Sequence, residues 1–224
     1  MNSVLANSHD SLNYLEYYAD EMARSQARRN LFAIAKDQSG FFTTKQAKAA
    51  GFAEKTHPYH VQTGNWIREY RGIYRLADFP ATERPDLMLW YLWSRGRDEV
   101  PQGVYSHETA LSLYELSDAN PSKLHMTVPT TFRRNSEIPS VLVLHRGNIP
   151  PQDIQELFAV RCTTPLRTIR DLETQSKTDR VLLRQAVREA LARGLIVTSD
   201  LEQGAFPADA RRELHALASG EPRD

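Results

Sequence analysis

The sequence has one cysteine, no long apolar run and no net charge, and each absence excludes a class of protein. Cys162 alone cannot form a disulfide within the chain or build a cysteine-based metal cluster. Because it follows an apolar stretch, we expect a buried, unreactive thiol. The most apolar run, Leu87 to Trp93, is too short to cross a bilayer. The first residues also lack the basic and apolar regions of a secretory signal, so we expect a cytoplasmic protein with no membrane partner.

Zero net charge hides an uneven distribution of 28 basic and 28 acidic side chains. Residues 22–76 contain 10 Lys and Arg but only 3 Asp and Glu. Residues 1–21 contain four acidic side chains and no Lys or Arg, and residues 77–224 are slightly acidic. A basic segment within a neutral chain is typical of a nucleic-acid-binding surface.

The basic segment has the pattern of a helix-turn-helix followed by a β-hairpin wing. Thr43 and Gln46 are spaced as a capping box, and Gly40 and Gly51 stand where helices end. Arg71-Gly72 predicts a tight turn with positive φ at the wing tip. The expected elements are helices at about 24–38, 45–50 and 54–62, and strands at 66–70 and 73–76.

In a helix-turn-helix, the N-terminal half of the second helix enters the major groove. Its polar side chains are expected to reach base edges, while basic side chains of the motif and wing neutralise phosphates. A winged helix used only for protein contacts is the alternative. The candidate DNA-binding residues are Thr44, Lys45, Lys55, Thr56, His57, Tyr59, His60, Arg68, Arg71 and Arg75.

Residues on either side of this segment predict further structure. Residues 1–21 are expected to form an acidic helical lead-in, which either lies on the domain or binds a partner. Two prolines mark 78–85 as a linker, which gives a winged-helix domain at 22–80 and a second domain at 81–224. That second domain is expected to be mixed α/β, and the whole chain α+β. Its expected helices begin near 84, 107, 165, 180 and 207, and its expected strands span 123–129, 141–146 and 157–162.

The sequence gives no sign of an enzyme, a metal site or a cofactor. His57 and His60 are spaced like two metal ligands, but no third ligand lies nearby in sequence. His107 and His145 are not accompanied by a nucleophile elbow, a phosphate-binding loop or paired carboxylates. We therefore expect His107 to be a core histidine with its hydrogen bonds satisfied, and no catalytic residues.

Several segments, in matching order over roughly residues 25–200, resemble the AbiEi family of antitoxins from type IV toxin–antitoxin and phage-defence operons. Together they are more specific than any one motif. The matching segments are GFFTTKQAKAAGF, HVQTGNWIREYRGIYRLADFP, YSHETALSLYELSD, LHMTVP, CTTPLRTIRDL and AVREALARGLI.

The resemblance implies an N-terminal winged helix that represses its own operon by binding repeats in the promoter. It also implies a C-terminal domain needed to neutralise a toxin with a nucleotidyltransferase fold. Carried over by position, the reading helix is 54–62 and the wing tip is Arg71-Gly72. Double-stranded DNA and the toxin are thus the expected partners, and residues 1–21 lie outside the resemblance.

Two other functions compete with this interpretation. A DNA-directed nuclease would need acidic residues at strand ends to hold a divalent cation, yet the central strands lead into Pro129-Thr130 and Arg146-Gly147. A stand-alone transcription factor could sense a small molecule with its second domain, although nothing in the sequence marks a ligand pocket. The oligomeric state stays open, because no coiled-coil heptads decide it.

Overall fold

The computed structural model describes residues 6–174 and 179–203, which form two compact units. The first unit extends to Trp93 and includes Arg97–Val100. The second comprises Ser94–Gly96 and the chain from Pro101 onward. Both helices and sheets are present, so the predicted α+β class is confirmed. The helix expected at 207–218 lies outside the described residues.

One long helix, α1 (Ala6–Lys36), replaces the two segments expected at the start of the chain. The stretch contains neither glycine nor proline, so nothing in it interrupts helical hydrogen bonding. Leu31 and Ala35, near the C-terminal end, are buried, whereas Tyr17 and Met22 are exposed. The expected boundary at residue 21 is therefore not a structural one, and residues 6–21 of the acidic lead-in form the beginning of α1.

The helix-turn-helix and wing follow α1 in the predicted order. Thr43 and Gln46 form the predicted capping box, and Gly51 ends the next helix with φ 111°. The reading helix begins with a 3₁₀ turn at Glu54–Thr56 and continues as a short α-helix with Pro58 in its first turn. The elements are β1 (Phe41–Thr43), α2 (Thr44–Ala50), α3 (His57–Gln62), β2 (Trp66–Tyr70) and β3 (Ile73–Leu76).

A three-stranded antiparallel sheet in the order β1-β3-β2 supports the motif. The sequence predicted β2 and β3 but not β1, in which Phe41 and Phe42 are almost fully buried. Phe42 pairs with Tyr74 across the sheet, and its ring joins a core built on α1 and α2. The wing is thereby attached to the helices through the strand that precedes α2.

The first unit does not end at residue 80 as expected. Helix α4 (Pro85–Trp93) packs against β1 and β3, and Leu87, Leu92 and Trp93 are at most 1% exposed. A helix that is apolar nearly all round must bury most of its surface, and here the wing sheet provides part of the cover. The loop at 78–84 therefore connects two elements of one unit.

The second unit combines helices with a mixed sheet, which has five strands where the sequence predicted three. The strand order is β6-β5-β4-β8-β7, with β4 parallel to β8, β5 parallel to β6, and the remaining neighbours antiparallel. The strands are β4 (Val104–Tyr105), β5 (Leu124–Val128), β6 (Leu142–Arg146), β7 (Ile154–Leu157) and β8 (Val160–Thr163), and the helices are α5 (His107–Leu113), α6 (Pro165–Glu173), α7 (Arg180–Ala192) and α8 (Thr198–Gln203).

The single strand expected at 157–162 is interrupted by a hairpin turn, since residue 157 ends β7 and residues 160–162 belong to β8. Phe158 and Ala159 have φ values of 54° and 59°, and they connect β7 to β8. Two central residues with positive φ form the turn type that tight hairpins favour, which glycine or asparagine would normally signal. Because the sequence has Phe-Ala there, the turn could not be recognised.

Caps define the helices of the second unit. The side chain of Thr164 accepts a hydrogen bond from the backbone of α6, and Asp179 does the same for α7, so both helices begin where the sequence predicted. Ser106 stands at the N-cap of α5, but its side chain makes no such bond. Its hydroxyl is instead hydrogen-bonded to the Thr127 hydroxyl at 2.8 Å. Among the described helices, none combines the length and apolarity needed to span a membrane.

Candidate nucleic-acid interface

Trp66, the first residue of β2, joins the reading helix to the wing. Its side chain is 3% exposed, and its ring centroid lies 4.8 Å from that of Phe42, 5.1 Å from Phe52 and 5.7 Å from Tyr74. Aromatic contacts at these separations add to the free energy gained from burial. One side chain thus fixes the position of α3 relative to β2 and β3.

His57 and His60 of α3 face this core instead of solvent. His57 is 2% exposed, its Nε2 lies 3.3 Å from the Phe52 carbonyl oxygen, and its ring contacts Trp66. His60 is half-buried and stacks on Trp66 at 4.6 Å. Burial, followed by the charge of His57, lowers the pKa of His60. The structure does not support base reading by His57, because its ring is enclosed, and His60 offers only part of its ring.

The opposite face of α3 is exposed and polar. Tyr59 is 62% exposed, and Gln62 and Lys55 are also exposed. The half-buried Thr56 uses its hydroxyl to donate to the Ala53 carbonyl, which places it in the turn before the helix. Sequence reasoning missed Gln62. The signal that could have identified it is the helical spacing of residues 57, 60 and 61. This i, i+3, i+4 spacing turns those three residues toward the core and leaves residues 59 and 62 on the outer face.

The wing presents two exposed arginines and one that is occupied. Arg68 and Arg71 are exposed, and Gly72 completes the predicted tip with φ 72°. A register shift between Arg68 and Tyr70 places Glu69 within 2.7 Å of Arg75 Nε. Arg75 is half-buried in that ion pair. Arg68 and Arg71 can therefore approach a phosphate more directly than Arg75.

The start of α2 lies beside the wing tip. The backbone N–H of Thr44 donates to the Gly72 carbonyl at 3.1 Å, so the first turn of α2 and the tip form one surface. Lys45 is exposed, and its Nζ lies 3.4 Å from a carboxylate oxygen of Glu99. Of the ten predicted residues, nine are exposed or half-buried, and His57 is buried.

Three histidines converge in the second unit: His107 and His145, which the sequence analysis had considered for acid–base chemistry, and His125, which it had not. The His107 and His145 rings stack with centroids 3.6 Å apart. Nδ1 of His125 lies 3.1 Å from Nε2 of His145 and 2.8 Å from Oε2 of Glu108. No group of side chains in the described residues has the arrangement of a metal site.

Burial is the main reason why the pKa values of two of these histidines are lowered. Together with the proximity of His145, it lowers the pKa of His107 to about 3. The pKa of His145 is also lowered, by burial and then by His125. The Nδ1 of His107 is 2.9 Å from the Ser106 hydroxyl, so the prediction of a satisfied core histidine is confirmed. Cys162 is fully buried as predicted, and burial raises its pKa to about 12.

Comparison with known proteins agrees with the geometry of the first unit. Residues 29–77 match the family model described as "Transcriptional regulator, AbiEi antitoxin". No curated protein matches the chain. The crystal structure of RV2827C protein from Mycobacterium tuberculosis matches with 17% sequence identity and a TM-score of 0.41, covering 88% of this chain and 72% of that one.

The matched residues run from the C-terminal half of α1 to the end of the wing. They contain the Trp66 core, both helices of the motif and the exposed arginines. Over residues 29–77, which fold as a helix-turn-helix with a wing, the chain is therefore similar to the family model described as an AbiEi antitoxin transcriptional regulator.

Proposed function

We propose that the protein is a non-catalytic, DNA-binding antitoxin that represses its own toxin–antitoxin operon and neutralises a toxin of nucleotidyltransferase fold. The observation that carries the proposal is the coincidence of three features in residues 29–77. These are the family match, the helix-turn-helix with its wing, and the concentration of positive charge. The sequence segments that resemble the family beyond residue 100 support the type IV assignment and the role in phage defence.

In the proposed complex, the exposed face of α3 enters the major groove of an operator repeat. Tyr59 and Gln62 point away from the Trp66 core and offer a hydroxyl and an amide to base edges. Lys55, Arg68 and Arg71 neutralise phosphates on both sides of the groove. His60 contributes at the edge of this face, and His57 supports the helix from within.

A mobility-shift titration on the DNA upstream of the gene tests the interface. Arg71→Ala should weaken binding roughly two- to fivefold on all sequences and reduce the slope of log K against log salt by about 1. Arg161→Ala is the matched control, because it removes an exposed arginine from a strand of the second unit. Absent or salt-insensitive binding by the wild type would contradict the proposal, since phosphate contacts require a salt-dependent affinity.

Base reading is tested separately by comparing the upstream DNA with an unrelated duplex. Gln62→Ala should reduce discrimination between the two duplexes by about 1–3 kcal/mol, because a side-chain amide can form a bidentate contact with a base. The salt slope should stay close to that of the wild type. A uniform loss on both duplexes would instead indicate that Gln62 contacts the backbone.

Neutralisation is tested by co-expression with the toxin gene expected beside this one. The wild type should restore growth, and Arg71→Ala should restore it equally while derepressing a reporter fused to the promoter. A variant that loses repression but still neutralises the toxin would assign the two activities to different surfaces. If no neighbouring gene encodes a nucleotidyltransferase-like protein, the stand-alone transcription factor becomes the better interpretation.

A further inference from the structure

A short segment of the first unit, Arg97–Val100, lies against the start of α2 and contacts one of the predicted phosphate-binding residues. We propose that the Glu99 carboxylate occupies the place of a DNA phosphate at Lys45 and Thr43, so that it limits the affinity of the interface until it is displaced. This inference depends on the proposed DNA-binding function, and it adds a regulatory contact that neither the sequence nor the family match assigns.

Both oxygens of the Glu99 carboxylate are engaged. The Thr43 hydroxyl donates to Oε2 at 2.6 Å, and Lys45 Nζ lies 3.4 Å from Oε1. Lys45 Nζ also donates to the Arg97 carbonyl at 2.8 Å. The Glu99 side chain is 21% exposed, compared with 60% for Lys45. The segment therefore holds the Lys45 ammonium group with one carboxylate oxygen and one backbone carbonyl oxygen, although the lysine side chain is largely exposed to solvent.

A phosphate would make the same kind of contacts as this carboxylate. Lysine ammonium and threonine hydroxyl groups are among the usual donors to phosphate oxygens in DNA complexes. Charge-assisted hydrogen bonds to carboxylate and to phosphate have similar lengths and directions. Glu99 and a DNA backbone at the wing tip would therefore compete for Lys45.

The backbone of the segment supports a specific role for Glu99. Its φ is 64°, a left-handed value that is uncommon for a residue other than glycine. Such a conformation persists only where surrounding contacts hold it. Here those contacts include the bonds to Thr43 and Lys45, together with a hydrogen bond from the Val100 amide to Asp98 Oδ1 at 3.2 Å. If DNA displaced Glu99 from Thr43 and Lys45, these two contacts would no longer hold the residue in this conformation.

Glu99→Gln tests the competition, because it removes the charge but keeps an oxygen that can accept from Thr43. We expect roughly two- to fivefold tighter binding to the upstream DNA, the range of an exposed ion pair. The salt slope should become steeper by about 0.9, the contribution of one additional phosphate contact. Asp98→Asn is the control, since it removes the same charge from the exposed neighbouring side chain.

A double-mutant cycle with Lys45→Ala identifies the partner. If Glu99 acts through Lys45, the gain from Glu99→Gln should disappear in the Lys45→Ala background. Thermal melting of each variant checks that the first unit stays folded. The inference is overturned if Glu99→Gln gains no more than Asp98→Asn, or if its gain persists without Lys45. In either case the wild type still binds DNA, whereas failure of the proposed function would abolish binding by every variant.

Discussion

Both units bury histidines, but they surround them with different chemistry. In the first unit, His57 and His60 pack against the Trp66 ring. In the second, His107 and His145 stack on each other, and His125 approaches both His145 and Glu108. The first cluster is an aromatic core that contains two imidazoles, and the second is a polar network made of imidazoles.

This difference determines what each cluster contributes. Where a histidine ring contacts mainly aromatic carbon, its shape matters most and an apolar ring can replace it. Where its nitrogens contact other titratable groups, protonation changes the free energy of folding. We therefore expect the first cluster to respond to changes in shape and the second to changes in pH.

The largest expected effect is the loss of the ring at the centre of the first cluster. Trp66→Ala should destabilise the first unit by about 3–5 kcal/mol, because it leaves a cavity among at least three aromatic rings. All three tryptophans lie in this unit, so the fluorescence of Trp90 and Trp93 can follow its unfolding in urea.

Ile67→Ala is the control for Trp66→Ala. Ile67 is the next residue of β2 and is 37% exposed, so its truncation should cost less than about 1 kcal/mol. Equal costs for the two variants would show that Trp66 is not the centre of the core, and the comparison between the clusters would then fail.

The second prediction concerns pH. An unfolded His107 binds a proton near pH 6.5, whereas the folded residue stays neutral down to about pH 3. Between these values the unfolded state binds more protons, so stability falls as pH falls. His107 should therefore cost the second unit about 2 kcal/mol between pH 7 and pH 5, a range in which ordinary carboxylates do not titrate.

His107→Asn tests this dependence, because asparagine tolerates the positive φ of 54° found at this position and has no titrating group. The groups that influence His107 are His145, Glu108, His125 and Arg167, and all remain in the variant. Urea unfolding followed by far-UV circular dichroism should show a smaller loss of stability on acidification. Parallel curves for the variant and the wild type would contradict the assignment.

Local signals explain what the sequence predicted. The capping box at Thr43, the glycine at 51 and the wing tip at Gly72 depend on residues close together in the chain, so the motif could be read directly. The same is true of the caps at Thr164 and Asp179.

The errors arose where distant contacts decide or where a turn lacks its usual residues. The unit to which α4 belongs is decided by its packing against β1 and β3. The hairpin turn at Phe158 contains neither glycine nor asparagine. The orientation of His57 depends on Trp66, although the helical spacing of α3 contained a hint. Glu99 could not be predicted at all, because it is 56 residues away from the threonine that it contacts.

The smallest expected effect tests the role of the histidine that is only partly buried. His60→Phe keeps a flat ring on Trp66 and should change the stability of the first unit by less than about 1 kcal/mol. Because His60 is half-buried whereas His107 is buried, the pH dependence should change less than in His107→Asn. Discrimination between the upstream DNA and an unrelated duplex should be retained, since Tyr59 and Gln62 provide the outer face of α3. A loss of discrimination of tenfold or more, without loss of stability, would show that the exposed part of His60 is itself needed to read bases, and that this histidine belongs to the interface as much as to the core.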